Sequence, residues 1–475
     1  MRRASSVGVV AGLAAGMVLG LGILARGGWP AAGDPAAAQS GTGRVLLPML
    51  LGGEELALLP APPTLRPASP TPTPRPEPSE TPGPTATLGP QLCEGGLQRW
   101  PVVSALDLDG ARPRAPERRG MHPRQPLYLA PVEGSGRAWL AWAATDAKVH
   151  VTPLDGLMRD GKDVTLDGDA SVGLAAGPDG GFGVAVIRGE QVALAAYDAD
   201  GKRRWDKTLI GDNPHTRAGD KWVDSWGHEG RLVWTGSHYA LYMGHTQEFG
   251  ANGKHQGDLL WLFDPQGNAV LGRQIGQPGW DWGCSHSLDL RMVWSAGAGA
   301  LGPVCLSDAY PQKAIMYSHQ RARVWPEPSG NGSGGSDGRL GGLVPTETGF
   351  SFSFATKETR KSYDIALVDI RADGTVGEPL WLTSSQSVDE ESPHHQPFGA
   401  DWFFGWHENG ALRLALFEAG GRLLAGPVNA PAGAGIDPRD DFVAWADGGL
   451  AWAARDDAAG SLQLVHVPLC LRPTD

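Results

Sequence analysis

The sequence predicts an all-β domain of about seven repeated sheet units, carried behind an export segment and an extended stalk. Three observations lead there. The composition is rich in turn formers, with 68 Gly and 39 Pro among 475 residues and only 8 Met, which favours short strands and frequent turns over helix bundles. Beyond Leu97 one pattern keeps returning: an apolar strand, a Gly-rich turn, a second strand, then a third that ends in an Asp/Gly hairpin. From Pro60 to Pro90, by contrast, Pro, Thr and Ser dominate, and such a run cannot bury a core.

At the N-terminus, Arg2 and Arg3 precede an uncharged stretch from Ala4 to Ala25 rich in Val, Leu, Ala and Gly. A positive segment followed by an apolar one is the layout of an export signal. Its length stands near the roughly 20 apolar residues of a spanning helix, so residues 1–38 read either as a cleaved signal peptide or as a retained signal anchor. Ala36-Ala37-Ala38 before Gln39 offers a small-residue cleavage site, and no Cys near the apolar stretch suggests a lipid anchor. Both readings put the rest of the chain outside the cytoplasm, in the medium or at the cell surface.

Residues 39–92 form the expected stalk. Runs such as Ser69-Pro70-Thr71-Pro72-Thr73-Pro74 lose backbone donors and have φ fixed by the proline ring, so they stay disordered or extended at up to about 3.1 Å per residue. The short apolar piece Val45–Leu51 cannot span a membrane. It resembles segments that precede Thr-Pro tracts in some bacterial surface proteins.

Four cysteines remain, Cys93, Cys284, Cys305 and Cys470. An even count in an exported chain points to disulfides, with three pairings open. Cys93 opens the folded region and Cys470 nearly closes it. Cys284 and Cys305 flank one strand-turn-strand unit. These positions favour Cys93–Cys470 and Cys284–Cys305, and there is no Cys-x-x-Cys or Cys-x-x-His spacing of a zinc or redox motif.

The repeat is clearest from Ser171 to Trp205. Ser171–Ala175 leads through Pro178-Asp179-Gly180-Gly181 into Phe182–Val186, and Val192–Tyr197 then turns at Asp198-Ala199-Asp200-Gly201. Equivalent closing turns stand at Asp264–Gly267, Arg371–Gly374 and Glu418–Gly421, with a weaker one at Arg159-Asp160-Gly161. Asp-x-Asp-Gly also suits calcium, but a hairpin turn is the better reading. Units fall near 125–166, 171–210, 231–275, 289–325, 340–383, 394–429 and 441–470, a spacing that matches four-stranded propeller blades. Residues 93–475 are therefore expected to form a seven-bladed β-propeller, with six or eight blades as alternatives. The leftover strand around Trp100–Val103 is expected to pair antiparallel with Leu462–Leu469 and close the last blade.

The stretch Tyr197–Trp205 resembles one blade of the quinone-dependent dehydrogenase propellers. It occurs once with its Trp, so the resemblance does not extend to that cofactor. Over residues 93–475 the chain is similar to secreted bacterial propellers at the level of architecture.

In a four-stranded blade, the turn between strands two and three and the connection to the next blade open on one face. Here those loops are long and hold the densest His, Asp and Trp content in the chain, while the opposite turns, such as Pro178–Gly181 and Ala296–Ala300, are short and Gly-rich. The candidate ligand-binding residues are His215, Trp226, His228, His255, Asp258, Trp282 and His286, with Asp308 in a neighbouring loop. His255, Asp258 and His286 are the candidates for a divalent metal, since imidazole and carboxylate suit zinc-like ions. Each side chain also has an ordinary role open to it: Trp282 can plug a gap between blades, and a loop His can serve as a hydrogen-bonded support.

Net charge of −12 and the lack of a basic stripe exclude nucleic acid as a partner. No Gly-x-Ser-x-Gly elbow occurs. Two classes stay open: a monomeric propeller that binds a glycan, peptide or surface protein through its loop-rich face, and a glycan-active or metal-assisted hydrolase or lyase using the same face. Membrane contact is expected only through an uncleaved N-terminal segment. Peptide mapping without reduction is expected to recover Cys93 linked to Cys470 and Cys284 linked to Cys305, each closure contributing about 2–4 kcal/mol; a Cys93–Cys284 or Cys93–Cys305 peptide would overturn the pairing.

Overall fold

A computed structural model describes residues 101–115, 127–189, 191–209, 211–212, 220–224, 229–249, 253–272, 278–279, 284, 286, 289–308, 313–317, 322–328 and 337–469. The export segment, the stalk and the Cys93–Cys470 pair lie outside the described residues.

Interior strands of the repeat are apolar on both faces. Phe182–Arg188 and Gln191–Tyr197 are buried along nearly their whole length, as strands must be when each sheet is packed between two neighbours. Outer strands are polar instead: Arg203–Thr208 is largely exposed and carries charge on four of its residues, which discourages pairing with another edge. This gradient from apolar inner strands to charged outer ones makes each unit a blade.

Seven such antiparallel sheets form a seven-bladed β-propeller, and no helix occurs among the described residues. From the axis outward, blade two runs Ala170–Ala176, Phe182–Arg188, Gln191–Tyr197 and Arg203–Thr208. Blades five and six, opened by Arg339–Pro345 and Glu390–Phe398, repeat the plan. Blade seven consists of Val443–Ala444, Leu450–Asp456 and Ser461–Val467, and its outermost strand is Val102–Ala105 from the other end of the chain. The register runs from Val102 opposite His466 to Ala105 opposite Gln463, the closure expected from the leftover strand.

The closing turns are hairpins, as read. The Asp198 Oδ1 accepts from the backbone of Asp200 and Lys202 at 3.1 and 2.8 Å, and Asp264 Oδ1 accepts from Gln266 and Asn268 at 2.9 and 2.8 Å. Carboxylates spent on their own turn in this way shape the backbone. Gly201 and Gly267 then take the positive φ the reversal needs, 75° and 81°. Blade one departs from the expected turn at Arg159–Gly161: the chain reverses at Gly156, φ 59°, between Asp155 and Met158. Its outer edge is shared by Met158–Arg159 and Val164–Asp167, both paired to Lys148–Asp155.

Between blades the core is aromatic. Trp139 of blade one packs on Phe182 of blade two at 4.4 Å and donates its indole N–H to Gly180 O at 3.0 Å. Phe442 of the last connection packs on Trp452 at 4.8 Å. Buried indoles with a partner for the N–H combine large apolar burial with fixed orientation.

At the axis the inner strands crowd together. A Cβ on Gly230 would stand 2.3 Å from Val172 O, and one on Gly173 2.7 Å from Leu232, so glycine is required at this closest approach. Around it lies a buried ionic cluster. Arg291, with 2% of its side chain exposed, bonds Asp289 at 2.7 Å, Gly341 O at 3.1 Å and Pro438 O at 2.9 Å. Arg439 bonds Glu229 at 2.9 Å, and Arg231 reaches Asp441 at 3.1 Å and Arg439 O at 2.5 Å. Asp440 accepts from Leu127 N at 2.6 Å. Blades one, three, four, five and seven are thereby tied at one point.

Burial pushes the Glu229 carboxyl well above its ordinary range, against the pull of Arg439. For Asp289 burial acts in the same sense, but Arg291, the hydrogen bond with Glu229, Arg439 and Arg231 together outweigh it and hold the carboxylate well below that range. A cavity of about 350 Å³ lies on the axis, lined by Arg231, Arg291, Asp441 and Gln396 and by apolar residues such as Val233, Val293, Pro345 and Ala444. Inner strands start on the loop-rich face, so this cavity extends from the charged cluster toward the short-turn face.

Removing one member of a buried ionic cluster strands its partners. Arg291→Ala and Arg439→Ala are each expected to lower unfolding free energy by about 3–5 kcal/mol in urea titrations; a loss below about 1 kcal/mol would show that the cluster does not hold the axis.

Candidate functional site

On the loop-rich face blade three stands out from the ring. Its second and third strands, Tyr239–Phe249 and Lys254–Phe263, run 11 and 10 residues, against 7 for each of their counterparts in blade two. Four further residues on the second strand raise the hairpin by roughly 13 Å. Asp220–Asp224 pairs with this extension, and Gly211–Asp212 pairs with Asp220–Asp224 in turn. The result is a small sheet standing above blade three. Its registers set His245 opposite Gly257, Gln247 opposite His255 and Gly244 opposite Asp258.

The connection into blade four is fastened beside it. Cys284 and Cys305 form the expected disulfide, with Cα atoms 6.5 Å apart across 21 residues. Two residues beyond Cys284, His286 takes a left-handed φ of 53° and donates its backbone N–H to Gln256 O at 3.1 Å. Three residues beyond Cys305 stands Asp308. The His286 Nδ1 meets Asp308 Oδ2 at 2.7 Å, with the Asp308 side chain fully buried and that of His286 37% exposed. The His255 ring stands 6.2 Å from the His286 ring, centroid to centroid.

Protonation follows from burial. His245 is fully buried, and burial with the nearby His255 lowers its pKa to about 3. His255 is lowered too, first by burial and then by His286, while Asp308 pulls the other way. Both rings are neutral at neutral pH. The buried Asp308 carboxylate beside Nδ1 fixes the orientation of the His286 ring, the relation found wherever an imidazole must present its second nitrogen in one direction.

The structure thus brings His255 and His286 together on the loop-rich face. Asp258 takes a different part. It is fully buried, accepts a hydrogen bond from Tyr242 and accepts another from Cys284 N at 2.7 Å. It braces the disulfide loop from beneath, and Asp308 supplies the carboxylate at the histidine pair. Asp258, Cys284 and Cys305 also lie together, but the two sulfurs are bonded to one another and offer no thiolate to a metal. His215, Trp226, His228 and Trp282 lie outside the described residues.

Asp308 stands in the loop that the sequence assigns to this face, but the sequence alone does not rank it with the histidines. The available signal was its place three positions after Cys305, much as His286 stands two positions after Cys284. The axial cluster went unnoticed altogether. Its signal was a repeat, Glu229-Gly230-Arg231-Leu232-Val233-Trp234 against Asp289-Leu290-Arg291-Met292-Val293-Trp294, an acid-x-Arg at equivalent inner-strand positions.

No family model and no curated protein matches the chain in sequence. Solved structures are similar to it in fold at low identity. The WD40 domain of Toxoplasma gondii coronin is 10% identical, with a TM-score of 0.43 over 82% of this chain and 90% of that one. A prolyl endopeptidase is 14% identical, with a TM-score of 0.42 over 72% of this chain; the match spans 48% of the endopeptidase, about half its length. A luciferin-regenerating enzyme is 11% identical, with a TM-score of 0.33 over 78% of this chain and 100% of that one. The seven-bladed assignment rests on the sheet topology itself.

The buried imidazoles set a pH dependence. An unfolded His titrates near 6.5 and folded His245 near 3, so the unfolded state binds the extra proton between those values. Stability is full above pH 6.5 and falls with acidification, by roughly 1.4 kcal/mol per pH unit for one such group. His395, also lowered to about 3 by burial, adds to the effect. His150, whose pKa is raised by Asp163 and Asp146 in spite of burial, acts oppositely and contributes stability that is lost as pH rises through its folded value. Urea midpoints of the chain and of His245→Phe between pH 4.5 and 7 are expected to converge on acidification as the variant loses its share of the slope; parallel profiles would contradict the neutral, buried assignment.

Proposed function

We propose that this chain is an exported, surface-displayed, monomeric β-propeller that binds an extracellular ligand, a glycan, peptide or surface protein, through its loop-rich face. One observation carries the reading: the sheet raised on blade three and the disulfide-fastened connection of blade four together present His255 and the His286–Asp308 pair on that face. Functional groups on loops held by a rigid scaffold are the ordinary way a propeller acquires specificity. The charged n-region, apolar stretch and Pro/Thr-rich segment support export and display, and the Cys284–Cys305 bond suits an oxidising compartment.

The His286–Asp308 pair also favours a second reading, a hydrolase or lyase acting on glycans. A half-exposed imidazole oriented by a buried carboxylate is the arrangement that general acid–base chemistry needs, and His255 stands beside it as a second proton-transfer group.

A glycan and peptide array probed with the purified chain tests the first reading. His286→Ala is expected to weaken the captured ligand by at least about tenfold, the loss of a charge-assisted or oriented hydrogen bond, while thermal stability stays within a few degrees. Unchanged binding by His286→Ala and His255→Ala would move the binding surface elsewhere. Turnover of a bound glycan that is abolished in His286→Ala would establish the second reading.

A further inference from the structure

The histidine pair has the chemistry of a metal ligand set. Transition-metal sites built on imidazole share a recurring feature: the ligating His gives its other ring nitrogen to a carboxylate, which fixes the tautomer and raises the basicity of the donor atom. His286 has this relation to Asp308 at 2.7 Å, with the carboxylate fully buried. Such burial is costly for a lone carboxylate. It is offset where the carboxylate faces an imidazole that carries, or shares, positive charge.

A second imidazole stands nearby. Zn–N bonds are about 2.0–2.1 Å long, which sets each ring centroid roughly 3.2 Å from the ion, so two rings on a tetrahedral ion stand about 5 Å apart. His255 and His286 are 6.2 Å apart, centroid to centroid, about 1 Å wider than that, a gap that a turn of the partly exposed His255 ring can close. The rings come from different segments, the third strand of blade three and the connection into blade four, and the second segment is held by the Cys284–Cys305 bond and by the His286 N–H to Gln256 O contact. Both backbone segments are thus in place before the ion arrives, and only the His255 ring has to turn.

We propose that His255 and His286 hold a divalent transition-metal ion of the zinc, copper or nickel class, with Asp308 orienting His286 from behind. Two imidazoles leave the remaining positions of such an ion to water, so an oxygen-bearing ligand can displace that water and coordinate directly. This inference rests on the reading of the loop-rich face as the working face and adds what the face grips with. An ion on a ring nitrogen occupies the place of a proton there, so occupancy also counts against acid–base catalysis by the same imidazole.

The test uses the full chain, purified without a polyhistidine tag, with Zn(II) titrated calorimetrically and Co(II) followed by its visible absorption. One equivalent is expected to bind at the site. His255→Ala and His286→Ala are each expected to weaken it by at least tenfold, and Asp308→Asn by about 10- to 100-fold, the usual cost of losing an orienting carboxylate. His150→Gln removes the imidazole flanked by Asp146 and Asp163 on blade one and is expected to leave the affinity unchanged. If Asp308→Asn fails to fold, the half-exposed His255 still decides the question. Wild-type affinity in the His255→Ala/His286→Ala double variant, or no uptake at 100 μM ion on the order of the weakest specific sites, overturns the proposal. Metal uptake without ligand capture rejects the proposed function alone; ligand capture that persists in chelator, with no metal uptake, rejects this inference alone.

Discussion

Three arginines and their carboxylate partners at the axis set the terms for the rest of the ring. A propeller has no central layer of its own, and its inner strands converge on a column around the axis. Gly230 and Gly173 mark where the strands come closest, and Arg231, Arg291 and Arg439 fill the space just beside them with groups that reach several blades at once. Apolar side chains would fill the same volume without specifying angles. Guanidinium groups demand a particular carbonyl and a particular carboxylate, and so fix the rotation of the blades they reach about the axis. Their burial adds registry more than net stability.

Fixed blades in turn make the loop-rich face precise. The upper parts of blades three and four hold their histidines in place because the strands below them cannot rotate. Asp258 is the clearest link between the layers. One oxygen receives the Tyr242 hydroxyl from within the blade and the other receives Cys284 N, so the blade interior, the disulfide and the start of the His286 segment share one carboxylate. The left-handed φ of His286, unfavourable for a residue with a Cβ, persists because both flanks of that segment are tied.

The fold was legible in the sequence because its signals are local. Asp198–Gly201 and Asp264–Gly267 announce hairpins within four residues, and the doubly buried Phe182–Ile187 is an unbroken apolar run. Blade number follows from counting such units. Even the ring closure could be read, since Val102 and Val103 form an orphan strand opposite an orphan edge. What stayed hidden depends on contacts between blades. Asp258 and Asp308 are both aspartates of the same face and both fully buried, and only their contacts, Tyr242 and Cys284 N for the first and the His286 ring for the second, show which one meets a histidine. The axial arginines read as ordinary strand-end charges until seven inner strands are brought together. Blade three's raised sheet was invisible for a related reason: His245–Phe249 is polar, as a loop would be, and becomes strand through its partner Lys254–His255 and the returning Asp220–Asp224.

The pairing of Val102–Ala105 with Gln463–His466 has a consequence for the order in which the molecule comes together. Within a blade, strands a few residues apart find one another quickly, since a short loop costs little entropy to close. This ladder joins positions about 360 residues apart, and its four register pairs give little in return until the other blades have brought the two ends near. Closure is therefore the last step of assembly and the first to be undone, and until it occurs blade seven exposes the apolar edge of Ser461–Val467 to any other strand that passes.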